Sequence, residues 1–306
     1  MAADPEDLKM SGTPMHDAVT PDESSIGFIT GATAEMSQEL LVELEQIACD
    51  LAVAAGRLIV DERPESLGVA ATKSSDTDVV TVMDQRSEAF LHQRLAELRP
   101  DDGLMGEEGA SSQGTSGITW VVDPIDGTVN YLYEIPAYAV SIAACVGDVT
   151  TVGGWRTVAG AVYNPVTDEL FHARSGGGAI LRQGERVHRL TVSSERELGH
   201  ALTGTGFGYD SAKRTRQGDI VAQIVGQVRD LRRIGSAALD LCFVGAGRLD
   251  VYYESGLNPW DQAAGQLVVT EAGGVVQGRG SDAPNKDLVV AGPVLLVDAL
   301  KALLNA

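Results

Sequence analysis

The segment WVVDPIDGTVNY, from Trp120 to Tyr131, carries an apolar strand pattern into two carboxylates three residues apart, Asp123 and Asp126, with the rigid Pro124 between them. Gly127 lets the backbone approach a ligand closely, and Thr128 stands where a helix could begin. Hard Mg²⁺ takes carboxylate and carbonyl oxygens and shares the phosphate oxygens of a substrate. Asp123, Asp126 and the Ile125 carbonyl could supply that set. The Gly127 and Thr128 amides, at an incipient helix N-terminus, would point at an anion. Taken alone, the segment reads equally well as a turn followed by an Asp N-cap.

Three further segments hold carboxylates in suggestive places. LMGEEG sets Glu107 and Glu108 between Gly106 and Gly109, directly after a predicted helix and turn; a solvated turn would look the same. KSSDTDVVTVMD surrounds a short apolar run with Lys73, Asp78 and Asp84. YYESGLNPWDQAAG ends a strand at Glu254 and places Asp261 where a helix could begin, with a plain N-cap as the rival reading. TGTGFGYD, from Thr203, is a weak match to a dinucleotide loop because no regular βαβ unit surrounds it, and it reads as a strand end and a flexible rim of the active site. The five histidines are scattered, which disfavours a catalytic His or a His-rich metal site. Cys49, Cys145 and Cys242 sit among small or apolar neighbours, the setting of buried thiols rather than of disulfides or zinc.

The elements that must position these groups follow from periodicity. Leu40, Leu41, Leu44, Ile47, Ala48, Leu51 and Ala55 recur at spacings of three and four after Ser37, predicting a long capped helix that ends near Pro64. Helices are also predicted at Leu91 to Leu98, Ile220 to Val228, from Ser236, and at Leu295 to Leu304. Strands are predicted at ITWVV from Ile118, AVSIAACV from Ala139, Leu249 to Tyr253, and LVVAG near the end. Residues 147 to 190 read as Gly-punctuated hairpins. Helices and strands intermingle without a βαβ repeat, which favours large mixed sheets layered with helices over a Rossmann or barrel fold.

Composition bounds the rest. A chain of 306 residues, 44% apolar, can bury a substantial core. Forty-three acidic against 23 basic residues give a net charge of -20, which repels nucleic acid and anionic membranes at long range. No signal peptide pattern or membrane-length apolar run is present, so a cytoplasmic location is expected. Residues 1–36 lack sustained periodicity and are expected to form a flexible tail, with residues 37–306 as a single domain in two subregions, about 37–190 and 191–306.

GEE from Gly106, WVVDPIDGTVN from Trp120, GSAALDLCFVGAGRLDVYYE from Gly235 and WDQAAG from Trp260 together resemble the inositol monophosphatase family, within the magnesium-dependent, lithium-sensitive carbohydrate phosphatases; the resemblance covers roughly residues 38 to 304. It implies an α+β fold, a layered αβαβα sandwich with large mixed or antiparallel sheets as in the inositol monophosphatase/fructose bisphosphatase fold. It also implies a homodimer acting on a small phosphomonoester, most simply myo-inositol 1-phosphate, with fructose 1,6-bisphosphate, histidinol phosphate or phosphoadenosine phosphate as alternatives. A regulatory partner-binding protein is the alternative of another class.

By position, the resemblance makes Glu107, Asp123 and the Ile125 carbonyl ligands of a first Mg²⁺ and Asp123, Asp126 and Asp261 ligands of a second, with Glu107 helping to hold a third. Asp84, Thr128 and Glu107 would act in catalysis, Thr128 orienting a water through its bond to Asp84. Asp126, Gly127, Thr128, Gly235, Ser236, Ala237, Glu254 and Asp261 would contact substrate, Glu254 and Ser236 through its hydroxyls; Lys73 and Glu108 would support them. Where many members read DGTTNF, this chain has Val129 and Tyr131, so a second hydroxyl beside the phosphate loop is absent.

Overall fold

Ser37 accepts the Leu40 amide at 3.2 Å and starts helix α1, Gln38–Asp61, as its sequence pattern predicts. The structure is a computed structural model that describes residues 36–73, 79–109, 111–280 and 282–305; the expected tail, Met36 apart, and Asp78 lie outside the described residues. Along the chain follow β1 (Ala71–Thr72), β2 (Val79–Val80), α2 (Val82–Leu98), β3 (Gly103–Gly106), β4 (Ser111–Ser112), β5 (Ile118–Asp126), the single turn α3 (Thr128–Leu132) and β6 (Ala139–Gly147). Next come β7 (Trp155–Asn164), β8 (Glu169–Arg174), β9 (Gly178–Gln183), β10 (Arg186–Arg189), β11 (Leu202–Thr205), α4 (Ser211–Ile224) and β12 (Asp230–Arg232). The chain closes with α5 (Ala237–Gly245), β13 (Val251–Glu254), α6 (Pro259–Glu271), β14 (Val275–Gln277), β15 (Val289–Gly292) and α7 (Val294–Leu303).

Two sheets organise the molecule. The larger has the order β10-β9-β8-β7-β6-β5-β3-β4, antiparallel except where β3 runs parallel to β5. Its hairpins from β6 to β10 are those expected of residues 147 to 190. The smaller has the order β12-β11-β13-β15-β14 and mixes parallel with antiparallel pairs. Helices α1 and α2 cover one face of the large sheet, and α5 and α6 fill the space between the sheets. Ile224 of α4 and Leu296, Val297 and Leu300 of α7 pack beneath Val251, Tyr253 and Val290 on the far side of the small one. The result is the expected alternation of helical and sheet layers. Glu45 of α1 bonds His172 at 2.7 Å and Arg174 at 2.6 Å on β8, fixing the outer helix to its sheet.

Several boundaries differ from the sequence reading for identifiable reasons. Helix α2 begins nine residues before Leu91, because Thr81 and Asp84 form a reciprocal capping box and its first turns are polar. Helix α4 ends at Ile224, leaving Val228 to reach the core from a turn. Glu107 and Glu108 follow a strand, β3, rather than a helix and turn. All three cysteines are free and buried.

The central helical layer depends on close approach of α5 and α6. A Cβ on Gly265 would lie 2.6 Å from the Leu241 Cβ, well inside contact distance. Gly265→Val is therefore expected to lower stability by about 1–3 kcal/mol through overpacking. The check is a reduced urea midpoint with an unchanged m-value.

Candidate active site

Strand β5 does not stop at the first carboxylate. It continues through Asp126, with the register against β6 broken between Asp123 and Asp126, so Pro124 and Ile125 bulge out of the ladder. Asp123 Oδ1 accepts the Ile125 amide at 3.0 Å across the proline. Gly127 then takes φ 94°, a left-handed conformation suited to glycine, and caps α3. A Cβ there would sit 3.0 Å from the Ala137 carbonyl and 3.1 Å from that of Gly235. Asn130 donates to the Ala137 and Ile234 carbonyls at 2.7 and 2.9 Å, tying the loop to the segment before α5.

That segment completes the tie. Ser236 Oγ donates to Asp126 Oδ2 at 2.5 Å, and the Ala238 amide donates to the same oxygen at 2.7 Å. A carboxylate on β5 thus satisfies an orphan donor at the start of α5. Ser236 Oγ also accepts the Leu239 amide at 3.3 Å as N-cap, so the hydroxyl is engaged within the protein.

Asp261 is the third residue of the capping box of α6, not its N-cap, which is Asn258; its Oδ2 accepts the Asn258 amide at 2.6 Å. Ligand oxygens of Asp123, Asp126 and Asp261 lie within 4.8 Å of one another. Burial, then the charges of Glu107 and the other carboxylates, push Asp123 and Asp261 well above the usual carboxylate range. Burial pushes Asp126 up to about 6 against its bonds from Ser236 and Ala238. Three oxygen ligands crowded together, with no ion-pair partner within 4.0 Å among the described residues, fit a hard divalent cation.

Glu107 is raised by its burial and stands beside Asp123. Lys73 Nζ bridges Glu107 at 2.8 Å and Glu108 at 2.5 Å. The Glu108 amide donates to Glu88 of α2 at 2.7 Å, holding the loop on its other side. Asp84 is fully buried; its Oδ2 accepts the amide and hydroxyl of Thr81, and its Oδ1 accepts Thr128 Oγ1 at 3.0 Å. Burial raises Asp84 to about 6 despite those bonds.

A cavity of about 390 Å³ opens over this constellation. Glu107, Asp123, Ile125, Asp126, Gly127, Thr128, Gly235, Ser236, Ala237, Glu254, Asp261 and Lys73 all line it, so the structure brings together in one space every sequence-predicted site residue except Asp84 and Glu108, which stand behind Thr128 and Lys73. The run from Gly206 to Asp210 also lines it, as expected of a rim.

A sequence profile of the inositol monophosphatase family matches residues 40–305. The chain belongs to that family. The inositol-1-monophosphatase SuhB of Mycobacterium tuberculosis is 45% identical over 276 residues, covering 85% of this chain and 93% of the relative. The Nus factor SuhB of Escherichia coli K12 is 38% identical over 232 residues, covering 75% and 83%. The solved structure of Mycobacterium tuberculosis SuhB matches at 44% identity with a TM-score of 0.72, covering 86% of this chain and 96% of that one. The layered α+β architecture is accordingly the family's fold, and the family is one of metal-dependent phosphatases.

Arg233 and Asp240, which line the cavity, and Tyr252 behind Glu254 escaped the sequence reading. Arg233 faces Asp126, Asp240 and Glu254 and draws the pKa of each down. Asp240 is buried in α5, pushed well above the carboxylate range by that burial, and its Oδ1 has no hydrogen-bond partner among the described residues. An acid inside the apolar run AALDLCFV was the available signal. Tyr252 donates to Glu254 Oε2 at 2.5 Å, and burial raises Glu254 to about 7.

The raised carboxylates carry a stability consequence. Folded pKa values above the unfolded ones near about 4 mean that the folded chain holds more protons, so stability falls as pH rises between those limits. The metal-free protein is therefore expected to lose stability from about pH 4 through the values of about 6 for Asp84 and Asp126 and about 7 for Glu254. Mg²⁺ should restore it, with the Tm difference between Mg²⁺ and EDTA widening over that window. An equal difference at both ends would contradict a cation site in the trio.

Proposed function

We propose that this protein is a Mg²⁺-dependent phosphomonoesterase with myo-inositol 1-phosphate as its preferred substrate. The observation that carries the reading is the Thr128–Asp84 hydrogen bond opening into the same cavity as the Asp123, Asp126 and Asp261 trio. Glu107, Asp123, the Ile125 carbonyl, Asp126 and Asp261 would hold two to three cations. Once bound, these supply Lewis acidity for a water nucleophile and for phosphoryl charge.

The chain's own groups do the rest. Thr128 Oγ1 lies 3.0 Å from both Asp84 Oδ1 and the Ile125 carbonyl; with its one proton on the Asp84 carboxylate it offers lone pairs to a water, orienting it in line with phosphorus. Asp84 takes up the proton that Thr128 relays. The Gly127 and Thr128 amides donate to phosphoryl oxygens. They act as individual donors, because α3 is a single turn of five residues and carries little macrodipole. Lys73 holds Glu107 and Glu108 in place.

Recognition of the alcohol falls to Glu254. Tyr252 occupies its Oε2, leaving Oε1 for ring hydroxyls. Gly206 is required beneath it, since a Cβ there would lie 1.8 Å from that carboxylate. The small residues Gly235, Ser236 and Ala237 leave room for a polyol.

Residues Ser37–Ala306 form one compact unit, which supports a single phosphatase domain. The family resemblance supports a cytoplasmic homodimer, and among the described residues no helix is long and apolar enough to cross a membrane.

A second reading, binding of a regulatory protein partner, is favoured by the relatives named Nus factor SuhB. The net charge of -20 favours protein over nucleic acid as that partner. Retention of all the carboxylates favours catalysis. A lost cellular phenotype in Asp261→Asn would support catalysis as the relevant activity; a normal one would favour partner binding.

Phosphate release from inositol 1-phosphate, fructose 1,6-bisphosphate, histidinol phosphate and phosphoadenosine phosphate, with Mg²⁺ or EDTA, tests the main reading. Inositol 1-phosphate should be preferred, EDTA should abolish release, and Asp126→Asn should do the same. Thr128→Ala should lower kcat by about 10²-fold or more, as expected for loss of proton-transfer catalysis. Preference for another ester would overturn the role given to Glu254, and no Mg²⁺-dependent release at all would overturn the phosphatase reading.

A further inference from the structure

A second cavity, of about 340 Å³, adjoins the first and lies within the size range of small-molecule sites. Gly206, Lys213, Glu254 and Ser255 line both. Four cations line the second cavity, Lys213, Arg216, Arg279 and Lys286, against two acids, Glu254 in the shared wall and Asp287. The chain as a whole carries 43 acids to 23 bases, so this groove inverts the charge ratio of the molecule.

The cations converge from three separate places. Lys213 and Arg216 are on α4, Arg279 follows β14 and Lys286 precedes β15. Their convergence is therefore built by the fold and is not a charged run along one helix. Among the described residues, none of the four forms an ion pair within 4.0 Å of a carboxylate, although Arg279 donates once to the Asn305 carbonyl at 3.0 Å. Lys213 leans over the shared wall, where a Cβ on Gly256 would fall 2.1 Å from its Nζ.

The wall itself is fixed. Buried Gln217 donates to the Ser255 hydroxyl at 3.1 Å and accepts the Gly208 amide at 2.9 Å, joining α4 to both cavities. Ile220, Tyr253 and Leu288 complete an apolar floor. Cations left unpaired around a partly apolar, rigid depression recognise an anionic group carried on a small organic body.

We propose that this groove is an anion subsite that takes a phosphate or carboxylate group. Two sources share that chemistry: the distal anion of a phosphomonoester whose reacting phosphate occupies the adjoining cavity, or a free anionic effector. The first rests on the proposed phosphatase function; the binding of an anion does not.

Arg216 and Lys286 are exposed, so the double variant Arg216→Ala/Lys286→Ala should fold, which an unchanged thermal transition in phosphate-free buffer verifies. The conservative pair Arg216→Lys/Lys286→Arg serves as the second variant. In EDTA, inorganic phosphate is titrated calorimetrically into each protein. Saturable binding by the wild type, retained by the conservative pair and weakened about fivefold or more by the alanine pair, is expected for loss of two charge-assisted contacts at a partly exposed site.

With Mg²⁺, kcat/KM for inositol 1-phosphate and for fructose 1,6-bisphosphate separates the sources. A drop of about tenfold for the bisphosphate alone in the alanine pair assigns the groove to the substrate's distal anion. Unchanged values for both esters, with phosphate binding in EDTA weakened, assign it to a free effector. Phosphate binding in EDTA that is absent from the wild type or unaltered in the alanine pair overturns the proposal. Failure of the wild type to hydrolyse either ester counts against the phosphatase reading alone, because the EDTA titration still decides the groove.

Discussion

Three carboxylates, Asp123 and Asp126 buried and Asp261 half-buried, with ligand oxygens within 4.8 Å of one another, set the terms for everything around them. At that spacing or closer, with an effective dielectric of about 20, each pair of full charges repels by about 3.5 kcal/mol or more. The fold holds the three groups despite that repulsion by fixing one oxygen of each. Asp123 Oδ1 takes the Ile125 amide, Asp126 Oδ2 takes Ser236 and Ala238, and Asp261 Oδ2 takes the Asn258 amide. Asp123 also meets the Glu107 carboxyl side by side, a contact that two ionised groups could not keep without a cation or a shared proton. Asp84 differs, because both of its oxygens are bonded within the protein and it reaches the cavity only through Thr128.

Most of these bonds are local. Asp123 bonds two residues ahead, while Asp84 and Asp261 each close a capping box three residues back. The exceptions are the Thr128 bond to Asp84, which spans 44 residues, and the bonds of Asp126 to Ser236 and Ala238, which span 110 and 112. The Asp126–Ser236 bond joins the end of β5 in the large sheet to the start of α5 in the layer between the sheets. Docking of α5 is thus coupled to assembly of the site: the same contact that caps the helix orients a carboxylate and brings Gly235 against Gly127.

This division between local and distant contacts explains what could be read from the sequence. The N-cap of α1, the strand leading to Asp123 and the hairpins from β6 to β10 follow from residue type and period. So did the family resemblance, because DPIDGT and WD are short and their chemistry is contained within a few residues. The start of α2 was missed because its first turns carry no apolar stripe. Arg233 and Asp240 were missed because the groups they face lie far away in the chain; Tyr252 acts only two residues away, on Glu254, but nothing in its residue type marks that bond. The commitment of the Ser236 hydroxyl to Asp126 depends on a contact that spacing does not encode. The cationic groove was invisible for the same reason, its four cations coming from three separate places.

The charge balance of the site closes the physical account. Seven acids line the cavity over the trio, Glu107, Asp123, Asp126, Asp210, Asp240, Glu254 and Asp261, against three cations, Lys73, Lys213 and Arg233. A phosphate monoester would meet net repulsion from these groups if all were ionised, on top of a molecular charge of -20. Salt screens the molecular field beyond about 8 Å under physiological conditions, so the encounter is decided within the cavity. Proton uptake by the raised carboxylates removes part of the repulsion but leaves neutral acids in place of cation ligands. Two divalent cations, were they bound, would bring the lining to neutrality while keeping those ligands ionised. Cation binding and substrate binding are therefore coupled by charge before any chemistry is considered, and the carboxylates that make the empty cavity hostile to phosphate are the ones that make the loaded cavity able to hold it.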